Sequence, residues 1–93
     1  MKLSKEEFGK ALIEAVLESF RAAYLRHRRG ESLESILILH DIVAAGSDVD
    51  PTIVRLHQRA IKSACAAVDN DVEHGEASRY LRKQMEARFK KES

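Results

Sequence analysis

The sequence predicts an all-α protein: one domain spanning residues 1–93, built as a bundle of four helices at about 5–29, 33–45, 51–73 and 76–91. Three observations carry that expectation. Large apolar residues recur at three- and four-residue steps along most of the chain, no segment alternates long enough to make a strand, and the single Pro with Gly30, Gly46 and Gly75 falls where helices should start or stop. With 44% apolar residues, 33% charged residues and a net charge of +1, the chain does not have the composition of a disordered tail. A chain of this length hides only about 60 to 65% of its unfolded surface, so its core is thin and a large enzyme with a deep pocket is excluded.

The first helix opens at Ser4, where Glu7 three residues on completes a capping box, each side chain satisfying the other's orphan backbone N–H. Phe8, Leu12, Val16, Phe20 and Ala23, with Ile13, Leu17 and Tyr24 beside them, form a broad core stripe. Arg26, His27, Arg28 and Arg29 place positive charge at the negative end of the helix dipole, and Gly30 accommodates a left-handed stop. Ser32 caps the second helix, and Gly46 is read as its left-handed end. The sequence Asp50-Pro51 opens the third helix, since Asp caps and Pro at the first helical position forgoes no needed N–H. Its apolar positions are Ile53, Val54, Leu56, Ala60, Ile61, Ala64, Cys65 and Val68. Asp69, Asn70 and Asp71 weaken the pattern, and the break before the fourth helix is expected at Gly75. The fourth helix then carries Ala77, Tyr80, Leu81, Met85 and Phe89 on its apolar side.

The second helix is the most informative element. Leu33, Ile36, Leu37, Ile38, Leu39, Ile42 and Val43 spread around more than half the circumference at about 100° per residue, and a helix apolar nearly all round is buried nearly all round. Ile38, Leu39 and Ile42 lie away from Ile36, Leu37 and Val43. Each large side chain left in water forgoes about 1.5 to 3 kcal/mol, a large share of a small domain's stability. The simplest cover is a second copy, so the sequence predicts a homodimer with the second helix and part of the first at its interface.

Charge is blocked along the chain. Residues 30–54 carry Glu31, Glu34, Asp41, Asp48 and Asp50 and no Lys or Arg. Residues 69–78 add Asp69, Asp71, Glu73 and Glu76, whereas residues 79–91 set Arg79, Arg82, Lys83, Arg88, Lys90 and Lys91 against Glu86. Zones of opposite sign steer association.

Motifs that carry chemistry are sparse. His27, His40, His57 and His74 lack zinc-site spacing, and Asp71 with His74 at i, i+3 makes only one side of a metal site. The stretch from Asp69 to Tyr80 fails as a calcium loop, because Gly75 is one place late and Tyr80 stands where a bidentate Glu belongs. Cys65, in an alanine-rich stretch, reads as a small buried filler, and as a lone cysteine it points to a reducing, cytoplasmic setting. His40 beside Asp41 is a polar interruption in the greasiest helix, best suited to a structural or interface contact. No phosphate-binding glycine loop, serine elbow, signal peptide or membrane span is apparent. The expectation is therefore a cytoplasmic, non-enzymatic binding or regulatory protein without cofactor or metal. It would dock on another protein through Ile38, Leu39, Ile42, Glu34 and Asp41.

The alternative is a helix-turn-helix DNA-binding regulator. Ala44, Val49 and Val54 match its apolar pattern and Thr52, Arg55, Arg59 and Lys62 would face the duplex. Against it stand Asp48 in the turn where Gly is expected, Leu56 at a position normally polar, and the acidic charge of the unit's first half, where phosphate contacts need cations.

Overall fold

A computed structural model describes residues 4–92, with side chains through Phe89; Met1 to Leu3, Ser93 and the side chains of Lys90, Lys91 and Glu92 lie outside the described residues. It contains α1 (Lys5–Arg28), α2 (Leu33–Ala45), α3 (Pro51–Asp69) and α4 (His74–Glu92). The helix starts follow from local chemistry. Glu7 N–H donates to Ser4 Oγ at 3.1 Å and Ser4 N–H donates to Glu7 Oε1 at 3.4 Å, which completes the capping box. Ser35 N–H donates to Ser32 Oγ, and Thr52 N–H donates to Asp50 Oδ1 at 2.7 Å ahead of Pro51.

Two helix ends differ from expectation. Gly30 is left-handed at φ 106°, but Gly46 keeps φ −84°, where the Gly46 and Ser47 N–H groups reach the Val43 and Ala44 carbonyls without a left-handed turn and the Ser47 hydroxyl donates to both as well. The third helix stops at Asp69, not residue 73, and the fourth begins at His74, not residue 76. Asn70 Nδ2 donates to the Ala66 carbonyl at 2.8 Å and Asp71 takes φ 56°, so the Asn-Asp pair competes with the helix backbone and turns the chain. Gly75 lies inside the first turn of α4 and does not mark the break.

α1 and α3 are parallel and form the tightest pair, with Ser19 against His57, Tyr24 Oη donating to the Val72 carbonyl at 2.7 Å and His27 against Asp69. Leu12, Ile13, Val16, Leu17, Phe20, Ala23 and Tyr24 of α1 pack on Ala60, Ile61, Ala64, Cys65 and Ala67 of α3, closed by Ile36 and Met85. The wholly buried Ala60 and Ala64 leave room for the large side chains opposite. α4 lies antiparallel to α1, with Arg82 paired to Glu14 at 2.8 Å. α2 and α4 flank the central pair and, among the described residues, do not touch each other. The result measures 40 × 31 × 19 Å, about two helices thick. Tyr80, expected on the apolar side of α4, is exposed, because α4 presents Leu81 and Met85 inward instead.

Candidate functional site

α2 is held to the bundle on one side only. Ile36 is buried, Leu33 and Leu37 are half-buried against the core, the His40 ring stacks on His57 at 5.7 Å, and Gln58 Nε2 donates to Asp41 Oδ1 at 2.9 Å. The opposite side is uncovered: Ile38, Leu39, Ile42 and Val43 are 60%, 45%, 65% and 65% exposed. The expectation that α2 is buried nearly all round does not hold within the chain, because one neighbour, α3, supplies most of its contacts and α1 touches it little. Val43 was expected with Ile36 and instead joins the exposed group, extending the ridge to four large side chains in a row. Glu34 and Asp41 are exposed along one flank of that ridge, with Asp41 at its border to α3 through Gln58, so all five sequence-derived interface residues are solvent-exposed on α2. That surface is acidic and apolar, and no lysine or arginine occurs between residues 30 and 54.

A second surface was not legible in the sequence. α3 and α4 diverge over the first half of α1 and leave an open groove of about 740 Å³. Its apolar lining includes Leu12, Val16, Leu56 and Met85, with half-exposed Phe8 at one edge, and Arg59, Lys62 and Arg88 stand around it with a single carboxylate, Asp50. Arg59 and Lys62 form no ion pair among the described residues. The proposed DNA-contacting residues are thereby placed: Thr52, Arg59 and Lys62 line the groove, and Arg55 Nη2 donates to Thr52 Oγ1 at 3.4 Å. All four are exposed, but Val49, which a helix-turn-helix buries in its turn, is exposed too.

Polar side chains cluster where α1, α2 and α3 meet. The Ser19 hydroxyl and His57 Nδ1 share a hydrogen bond of 2.5 Å, and burial, with His40 alongside, pushes the His57 pKa down and favours the neutral ring. His40 Nδ1 is buried without a hydrogen bond, and Asp41 Oδ1 at 3.6 Å is beyond hydrogen-bonding reach. A hydroxyl beside a neutral imidazole is the beginning of a nucleophile and base, yet no described carboxylate bonds the far nitrogen of His57 to orient it. The near-equal steps of His40 and His57 from the α2–α3 loop are the sequence signal that locates this contact. Cys65 is buried, and burial, then Asp69, pushes its thiol pKa up, away from the reactive thiolate. Asp71 and His74 are separated in role: Asp71 turns the chain, while His74 packs against Phe20 and Tyr24. Among the described residues no three His, Cys, Asp or Glu side chains converge as metal ligands, and no helix is long and apolar enough to cross a membrane. Comparison of the chain with protein-family models, curated proteins and solved structures returned no match.

Proposed function

We propose that this chain is a small non-enzymatic docking protein whose working surface is the ridge of α2, and that it pairs first with a second copy of itself. One observation carries the reading: Ile38, Leu39, Ile42 and Val43 stand side by side in water on a helix whose other face is fixed to the core. Scattered exposed apolar residues are ordinary on soluble proteins, but a contiguous large-residue ridge bordered by charge has the make-up of a recognition surface. The flanking Glu34 and Asp41 supply register and sign, favouring a partner with cations beside an apolar seat. The function is then that of a regulatory or assembly module, in which occupancy of the ridge is the event that matters.

Sedimentation of wild type and of Ile38→Asp with Ile42→Asp tests this. The expected result is a mass above the single-chain 10.5 kDa at about 10 μM for wild type, returning to the single-chain value in the variant. A single-chain mass for both proteins would overturn the self-pairing. Duplex DNA binding through the exposed strip of Thr52, Arg55, Arg59 and Lys62 is the competing reading. It would be favoured by duplex affinity that falls with salt and disappears on charge reversal of Arg59 and Lys62.

A further inference from the structure

The ridge and the groove are complementary in shape and charge, and they belong to different flanks of the same molecule. The ridge is convex, apolar and bordered by Glu34 and Asp41; the groove is concave, apolar and bordered by Arg59, Lys62 and Arg88, against one carboxylate, Asp50, whose Oδ1 accepts from the Thr52 N–H. From Ile53 to Lys62 the α3 wall of the groove spans ten residues, about 15 Å of helix, which accommodates the ridge of a helix about 20 Å long. Among the described residues α2 and α4 have no contact within the chain, because each packs on its own side of the α1–α3 pair. A molecule therefore does not fill its own groove with its own ridge.

From this geometry we infer that the occupant of the α3–α4 groove is the α2 ridge of a second copy. Ile38 and Ile42 of that copy seat on Leu56 and Met85, and its Glu34 and Asp41 face Arg59 and Lys62. The contact joins two different surfaces, unlike a symmetric pairing of one α2 with another. The exposed Glu34 and Asp41 beside the ridge and the exposed Arg59 and Lys62 beside the groove thereby have a single cause: each sign disfavours a ridge-on-ridge or groove-on-groove pairing. The inference rests on the reading of the ridge as a docking surface and adds the identity of its seat.

Charge exchange tests the seat separately from the ridge. Three full-length proteins are compared by sedimentation equilibrium at low salt: Arg59→Glu with Lys62→Glu, Glu34→Lys with Asp41→Lys, and Ile42→Asp. The charge-reversal positions are exposed, and thermal unfolding monitored by circular dichroism establishes that each variant is folded. Each charge-reversed protein alone is expected to self-associate about tenfold or more weakly than wild type. An equimolar mixture of the two is expected to regain wild-type association, since native ridge then meets native groove and reversed ridge meets reversed groove. If Ile42→Asp dissociates while Arg59→Glu with Lys62→Glu associates as wild type does, the ridge reading stands and its seat is not the groove. A mixture that fails to regain association also overturns the seat, and an Ile42→Asp protein that associates normally overturns the ridge reading itself.

Discussion

Replacing Ile42 by Ala separates what α2 contributes to folding from what it contributes to association, and Ile36→Ala is the matched control. Ile36 is 3% exposed and Ile42 65% exposed, although both are isoleucines on one 13-residue helix. Ile36→Ala removes a buried side chain and leaves a cavity, so it costs about 2 to 5 kcal/mol of folding stability. Ile42→Ala removes mostly hydrated surface and changes the stability of the single chain by less than about 0.5 kcal/mol. In the assembled state the order changes. Complete burial of an isoleucine is worth about 2.5 kcal/mol, of which the uncovered 65% leaves about 1.6 kcal/mol to be gained on docking. Trimming to Ala loses most of that, close to a tenfold loss of affinity for each docked ridge and about a hundredfold where two ridges are docked. Thermal unfolding over a hundredfold range of protein concentration reads both effects, because assembly raises the melting temperature by mass action. Wild type should melt higher as concentration rises, Ile42→Ala should show the same rise only at about tenfold or more higher concentration, and Ile36→Ala should melt lower throughout. A wild-type melting temperature independent of concentration, or an Ile42→Ala chain as destabilised as Ile36→Ala, would refute the reasoning.

Two further outcomes follow from the packing and the titrating groups. Ala64→Leu, at a wholly buried point of the α1–α3 contact, should destabilise the chain by about 1 to 3 kcal/mol in urea unfolding, because there is no space for the added methylenes. The histidines give opposed pH dependences. His57 has a pKa lowered from 6.5 by burial and His40, so the native state resists its protonation, and stability is full above about pH 6.5 and declines as pH falls toward the lowered native value. His27 is raised from 6.5 by its hydrogen bonds to Asp69 and the Glu31 carbonyl, so its contribution is complete below about pH 6.5 and is lost as pH rises through the raised native value. Urea unfolding between about pH 5 and 8 should lose the first slope in His57→Gln and the second in His27→Gln.

Helix starts were readable because their causes are local. Ser4 with Glu7, Ser32, and Asp50 with Pro51 each satisfy or remove orphan N–H groups within one turn, and no distant contact is needed to place them. The stop at Asp69 was legible in part, since Asn70 and Asp71 were recognised as weak points while Gly75 was given the decisive role. A polar side chain ends a helix only where it finds a backbone partner, as Asn70 does at Ala66, and residue type alone does not specify that bond. The candidate interface shows the same division: composition isolated Ile38, Leu39 and Ile42 as residues in need of cover, but Val43 was assigned to the wrong side.

Periodicity and capping therefore determined by themselves that the chain is four helices with a strongly apolar second one and segregated charge. Tertiary structure alone decided which apolar faces are covered. Phe8, Leu56 and Phe89 read as ordinary core stripes, yet they line an open groove because α3 and α4 both pack on α1 and diverge from each other. The period of a helix reports that one of its faces shuns water; what covers that face depends on the spacing and angle of its neighbours, which are set by the packing of all four helices together.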